Sequence, residues 1–76
     1  MKLLPDQRKG LERMLAGLEL NYIMDKEERF QRYLYITERI IRTGQRKGYD
    51  VDKYVMKLNE IKLKYEQRRK LQEGGY

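Results

Sequence analysis

The chemistry open to this chain is limited first by the residue types that it lacks. Its 76 residues include no histidine and no cysteine, so the commonest metal ligand, the neutral-pH proton carrier and the thiolate ligand are missing. No nucleophile is placed beside a general base. The carboxylates fall beside basic residues on faces predicted to meet solvent: Glu27, Glu28, Glu38, Glu60 and Glu66. We therefore predict no catalytic residue, metal site, cofactor or small-molecule substrate.

The segment Gly44-Gln45-Arg46-Lys47-Gly48 has the pattern closest to an anion site. Backbone N–H groups in such turns can form a concave nest, and Arg46 and Lys47 add positive charge. A phosphate-binding P-loop, however, has four residues between its glycines and then Lys and Ser/Thr. Glycine also ends helices, and charged residues are common in solvated turns. We interpret the segment first as a turn between helices, with anion contact as the alternative.

A first basic surface is predicted in the middle of the chain, on the side of a helix away from its apolar stripe. It contains Arg32, Tyr35, Arg39 and Arg42. Arginines around an aromatic ring are typical of surfaces that pair with phosphates and stack on bases. The alternative is a solvated face, because Glu28–Arg32 and Glu38–Arg42 have the spacing of ordinary helix ion pairs.

A second basic stripe is predicted near the C-terminus, within the segment 51–76, which carries half of the net charge of +6. The stripe comprises Lys53, Lys57, Lys64, Arg68 and Arg69. It is a candidate for phosphate contact together with Arg46 and Lys47. The spacing Glu60–Lys64 and the preference for cations at helix C-termini offer a purely structural interpretation.

Helices are expected to position these residues, because Leu, Arg, Lys, Glu and Gln dominate and Pro5 is the one proline. A shorter first helix over about 6–20 follows from Pro5 and an apolar spacing of Leu11, Met14, Leu15 and Leu18. Gly10 and Gly17 each weaken it by about 1 kcal/mol relative to alanine.

Two longer helices follow, over about 25–43 and 51–72. Asp25 and Glu28 predict a capping box at the start of the helix over 25–43, and Gly44 predicts the end of that helix. Asp50 predicts the N-cap of the helix over 51–72. The buried face of the first should be Phe30, Tyr33, Leu34, Thr37, Ile40 and Ile41, and that of the second Val51, Tyr54, Val55, Leu58, Ile61 and Tyr65. Residues 73–76, with Gly74-Gly75, are predicted to form a flexible tail.

These elements predict an all-α fold: one small bundle domain in which the two long helices lie antiparallel and the N-terminal helix closes the third side. Ile36, Met56 and Leu63 fall off the main apolar stripes. Met56 and Leu63 form a narrow seam that either receives the first helix or stays exposed as an association surface.

Two binding functions compete at this point. The first is a protein-interaction module, a non-enzymatic regulator or adaptor that uses Ile36, Met56, Leu63 and Tyr35 to bind a protein partner or a second copy. The alternative is nucleic-acid binding through the basic surfaces. Association with an anionic membrane is a weaker third hypothesis, because the polar faces carry many glutamates. No apolar run is long enough to span a membrane, and we expect a cytoplasmic protein.

Overall fold

The computed structural model describes residues 1–73 and contains three helices: α1 (Pro5–Ile23), α2 (Glu27–Arg46) and α3 (Asp52–Glu73). This part of the chain has no strand, so the predicted all-α bundle is confirmed. It measures 49 × 17 × 15 Å. Glu73, which we assigned to the tail, is the last residue of α3, and residues 74–76 lie outside the described part of the chain.

A single apolar core joins the three helices, and its members are Leu11, Leu15, Leu18, Phe30, Ile41, Val51, Tyr54, Leu58, Ile61 and Tyr65. Most of the predicted buried faces are therefore confirmed. Thr37 is also buried, and its hydroxyl donates a hydrogen bond of 2.7 Å to the carbonyl of Tyr33. Ile40 was predicted wrongly: its side chain is 41% exposed at the edge of a groove between α1 and α2.

The closest pair of helices is α1 and α2, whereas the sequence suggested α2 and α3 as the main pair. Gly17 makes this approach feasible. A Cβ atom at Gly17 would lie 2.5 Å from Cε1 of Tyr33, closer than real atoms approach. The missing side chain thus provides the space that the Tyr33 ring occupies, and α1 is nearly as long as α2, with 19 and 20 residues.

The start of α2 differs from the predicted capping box. Asp25 adopts a left-handed conformation with φ of 57°, and Lys26, which has no side-chain capping bond, precedes the first helical residue. The three-residue link 24–26 therefore places Asp25 one position too early to cap α2. Its carboxylate instead lies 3.4 Å from the guanidinium of Arg68.

The end of α2 was also predicted wrongly, because the helix passes through Gly44 to Arg46. Gly44 is buried, and a Cβ there would lie 3.1 Å from Cγ1 of Val51, so this glycine serves packing. Gly48 ends the helix with φ of 82°. The N–H groups of Gly48 and Tyr49 donate to the carbonyls of Gln45 and Gly44 at 3.1 and 2.9 Å, which is a Schellman motif.

The start of α3 agrees with the prediction within one residue. Asp50 lies two residues before the first residue of α3, as Asp25 does for α2, so it is not the N-cap that we predicted. Its Oδ1 accepts a long bond of 3.5 Å from the N–H of Asp52. The N–H of Asp50 itself donates to the carbonyl of Met1 at 2.7 Å, and the amino group of Met1 donates to the carbonyl of Gly48 at 3.1 Å. The N-terminal segment therefore fastens the link between α2 and α3.

Two glycines of α1 provide a matched test of the α1–α2 packing. Replacing Gly10 by alanine should raise the free energy of unfolding by about 1 kcal/mol, because alanine favours helix and a Cβ there meets no atom within 4 Å. Gly17→Ala should instead lower it by about 1–3 kcal/mol, because its Cβ meets the Tyr33 ring. Urea denaturation followed by circular dichroism measures both. Equal gains in stability would contradict the close packing at Gly17.

Candidate functional site

Arg68, a predicted nucleic-acid contact, is bound within the protein itself. Its Nη1 donates to the carbonyl of Tyr22 at 2.7 Å, and its guanidinium carbon lies 4.0 Å from the centre of the Tyr22 ring. The Asp25 carboxylate is the third partner. Arg68 thus connects α3 to the C-terminal end of α1, and its donors are directed towards the protein.

A second polar contact joins α3 to the start of α2 around Tyr65. The ring of Tyr65 stacks on Phe30 at 4.3 Å between centres, and its hydroxyl donates to Oε1 of Glu27. The same hydroxyl accepts bonds from Nε2 of Gln31 at 3.0 Å and Nη1 of Arg69 at 3.4 Å. The bond from Tyr65 lowers the pKa of Glu27 below its ordinary value of 4.5; Gln31 and Arg69 lower it further, while burial opposes them.

Two lysines of the predicted α3 stripe have carboxylate partners. Nζ of Lys57 lies 3.0 Å from Oε2 of Glu19, and this hydrogen-bonded pair raises the pKa of Lys57 above 10.5. Lys64 lies 3.3 Å from Glu60, as its spacing predicted. Lys53 is exposed, and no carboxylate of residues 1–72 lies within 4.0 Å of it. Much of the charge along this stripe is therefore compensated within the molecule.

The basic surface that stays less compensated lies on α2. We call the α2 arginine face the exposed residues Arg32, Tyr35, Arg39, Arg42 and Arg46. Arg42 pairs with Glu38 at 3.7 Å, and Glu38 also contacts Lys62 at 3.3 Å. Among the side chains of residues 1–72, no carboxylate lies within 4.0 Å of Arg32, Arg39 or Arg46, so the predicted Glu28–Arg32 pair is not formed.

Tyr35 and Ile36 provide the apolar part of this face. Tyr35 is 67% exposed and lines a shallow cavity of about 350 Å³ with Arg39, Arg42 and Arg46. Ile36 is 39% exposed. It lies four residues after Arg32 and three before Arg39, so these side chains are neighbours on the helix surface.

The turn after α2 does not present a backbone nest for an anion. Four consecutive N–H groups, from Lys47 to Asp50, donate to carbonyls of the protein: Lys47 to Thr43, Gly48 to Gln45, Tyr49 to Gly44 and Asp50 to Met1. The side chains of Arg46 and Lys47 are exposed. Any anion at this turn would therefore depend on these side chains, not on the backbone.

Met56 and Leu63 remain exposed although α1 covers one side of α3. Met56 is 73% and Leu63 55% exposed. They border an open groove of about 1250 Å³ between α1 and α3, which we call the α1–α3 groove. Leu15, Ala16 and Tyr54 form its apolar lining, and α1 therefore packs beside the predicted seam, not over it.

Carboxylates surround the α1–α3 groove, although the protein as a whole is basic. Five of the twelve acidic residues line it, together with Lys53 and Lys57: Glu12, Glu19, Asp50, Asp52 and Glu60. Burial raises the pKa of Tyr54 in the groove lining; the charge of Glu12 adds to this effect, and that of Arg8 opposes it. Within residues 1–73, Glu12, Asp50 and Asp52 have no Lys or Arg nitrogen within 4.0 Å.

The sequence contained a signal for this rim that we did not use. Asp52 and Glu60 lie four residues before and after Met56, a spacing that places them beside it on a helix. The contribution of Glu12 depends on how α1 packs against α3, which the sequence pattern did not define.

No family model, curated protein or solved structure matches this chain. None of the helices in residues 1–73 combines the length and the apolar character that crossing a membrane requires. The same residues contain no group of three or more Asp or Glu side chains placed to hold a metal ion.

The bond between Tyr65 and Glu27 should make stability depend on pH. Because the folded pKa of Glu27 lies below its ordinary value of 4.5, its ionised form stabilises the fold above that pH, and the contribution is lost as the pH falls. Tyr65→Phe should lower the free energy of unfolding by about 1 kcal/mol at pH 7 and by less at pH 3. Urea denaturation at both pH values measures the difference.

Tyr35→Phe is the matched control, because Tyr35 is exposed and the described residues give its hydroxyl no hydrogen-bond partner. It should leave stability unchanged at both pH values. A loss in the Tyr65 variant that is equal at pH 3 and pH 7 would show that the hydroxyl does not act through the Glu27 carboxylate.

Proposed function

We propose that this protein is a non-enzymatic interaction module that binds a basic amphipathic helix of a partner in the α1–α3 groove. The observation that carries the proposal is the exposure of Met56 and Leu63, 73% and 55%, within a rim of carboxylates. The role is that of a regulator or adaptor, and we place it in the cytoplasm.

The apolar centre of the groove supplies the driving force. Covering a large apolar side chain contributes about 1.5–3 kcal/mol, so burying Met56 and Leu63 together can support a specific contact. These two side chains lie seven residues apart along the groove, and this matches the i and i+7 spacing of the apolar residues by which a helix is recognised. An elongated groove with an apolar centre and a polar rim suits a helix better than a compact small molecule.

The rim determines which helix is preferred. Uncompensated carboxylates at Glu12, Asp50 and Asp52 favour Lys or Arg on the flanks of the ligand and repel acidic segments. Charges at a rim act mainly on the rate of association and on specificity. The groove should therefore distinguish a basic helix from an acidic helix with the same apolar face.

A second candidate function is binding of single-stranded nucleic acid at the α2 arginine face. The observation that favours it is the exposed ring of Tyr35 in a cavity lined by Arg39, Arg42 and Arg46. Bases stack on such rings while the arginines pair with phosphates. This proposal differs from the α3 stripe expected from the sequence, because Lys57, Lys64 and Arg68 have partners within the protein.

Titration with a labelled synthetic helix tests the groove. A peptide with leucines on one face and lysines on its flanks should bind, and fluorescence anisotropy measures its Kd. Met56→Glu should weaken binding at least tenfold, which corresponds to about 1.4 kcal/mol. Met24→Glu is the matched control, because Met24 is 53% exposed but lies outside the groove. Equal binding by both variants, or equal binding of a peptide with glutamate flanks, would contradict the proposal.

The α2 arginine face is tested by binding of a fluorescent single-stranded oligonucleotide at several salt concentrations. Arg39→Ala with Arg46→Ala should reduce the slope of log affinity against log salt by about 0.7 for each phosphate that the protein no longer binds. Tyr35→Ala should lower affinity without changing the slope, because stacking involves no counterion release. Lys64→Ala, on α3, is the control that should have no effect. Failure of the wild-type protein to bind at low salt would eliminate this candidate.

A further inference from the structure

We infer that the helix bound in the α1–α3 groove is α2 of a second copy of this chain, docked through its arginine face. The inference rests on the proposed function of the groove and identifies its partner. It follows from a charge separation within one molecule: the carboxylate rim lies between α1 and α3, and three arginines without a carboxylate partner among the side chains of residues 1–72 share one face of α2.

The unpaired charges on the two surfaces are opposite in sign except for Lys53, which also lines the groove and has no carboxylate partner among the side chains of residues 1–72. Arg32, Arg39 and Arg46 have no carboxylate within 4.0 Å among the described side chains, those of residues 1–72. On the groove rim, Glu12, Asp50 and Asp52 likewise have no basic nitrogen within that distance. A second copy would supply each set with the partners that its own chain does not provide.

The apolar parts and the lengths of the surfaces also correspond. Ile36 and Tyr35, 39% and 67% exposed, lie between the arginines of α2, as Met56 and Leu63 lie between the acidic residues of the groove. At 1.5 Å per residue, the arginine face from 32 to 46 is about 21 Å long, and the groove wall from 52 to 63 is about 17 Å long. The face is therefore long enough to occupy the whole groove.

A contact between the groove of one copy and α2 of another determines how many copies can associate. The two surfaces are different patches of one molecule, so the interface is heterologous, and a bound pair retains a free α2 face on one copy and a free groove on the other. Association therefore continues to higher oligomers as the concentration rises, unless the rotation closes a ring. Because the groove rim and the α2 arginine face are both charged, added salt should weaken the association.

Two variants that each retain one surface test this arrangement. Arg32→Glu with Arg39→Glu alters the α2 face and leaves the groove intact. Met56→Glu with Leu63→Glu alters the groove, leaves the α2 face intact and adds no positive charge that could bind the altered α2 face. Sedimentation velocity should show that the wild-type mass increases above the monomer mass of 9.4 kDa with concentration, and that each variant alone stays monomeric. An equimolar mixture of the two variants should form a dimer and nothing larger.

The single variants distinguish this contact from a symmetric dimer through one surface alone, because the variant that retains that surface would then dimerise by itself. A mixture that stays monomeric overturns the inference, as does association of the α2 variant at wild-type strength. Circular dichroism verifies that the variants are folded. Arg39→Gln and Met56→Gln, which change the surfaces less, should each weaken association at least threefold.

Self-association and helix binding by the groove can fail separately. A wild-type protein that stays monomeric at high concentration and low salt overturns self-association. If the groove still binds the basic peptide and Met56→Glu still prevents this, the groove retains its proposed function with another protein as partner. An α2 face that binds only the oligonucleotide would likewise overturn the inference.

Discussion

The close approach of α1 to α2 at Gly17 determines which surfaces of this protein stay open. With no side chain at Gly17, the ring of Tyr33 fills the space and α1 lies tightly against α2. Placed there, α1 reaches the core side of α3 through Leu11, Leu15 and Leu18, but it cannot also cover Met56 and Leu63. The α1–α3 groove is thus a consequence of how the core is packed. A bulkier residue at position 17 would change the groove and the core together.

Ion pairs and hydrogen bonds made by α3 stabilise the same packing of the helices. The long basic side chains of α3 are directed towards carboxylates and carbonyls on α1 and in the α1–α2 link, as for Lys57 with Glu19 and Arg68 with Tyr22 and Asp25. Exposed ion pairs contribute little individually, but Arg68 combines a hydrogen bond, an ion pair and a stacked ring. Such contacts add to the core of a chain whose length leaves little excess stability. They also explain why α3, basic by sequence, presents less free positive charge than α2.

Periodicity predicted the parts of this structure that depend on local sequence. The three helices and nearly all core positions follow from apolar spacing, since a residue such as Ile61 has one side of the helix on which it can be buried. Apolar periodicity could not show which of the two glycines, Gly44 or Gly48, ends α2. Both residues suit a helix end, and only the position of Val51 across the link shows that Gly44 is needed for packing. Asp25 was misassigned for a similar reason, because its capping role depended on a link conformation that sequence spacing does not define. The groove rim combines residues of two helices, so it required the tertiary arrangement.

A second copy of the chain and a nucleic acid cannot bind the α2 arginine face at the same time. A second copy and a nucleic acid would both occupy Tyr35, Arg39 and Arg46, so one ligand must displace the other. By linkage, a polyanion that binds the α2 arginine face shifts the protein away from assembly, and assembly lowers the apparent affinity for the polyanion by the same factor. The groove is affected only indirectly, because a copy whose α2 face is occupied still has its own groove free. A polyanion and a basic helix could then bind the same molecule simultaneously, the polyanion on the α2 arginine face and the helix in the α1–α3 groove.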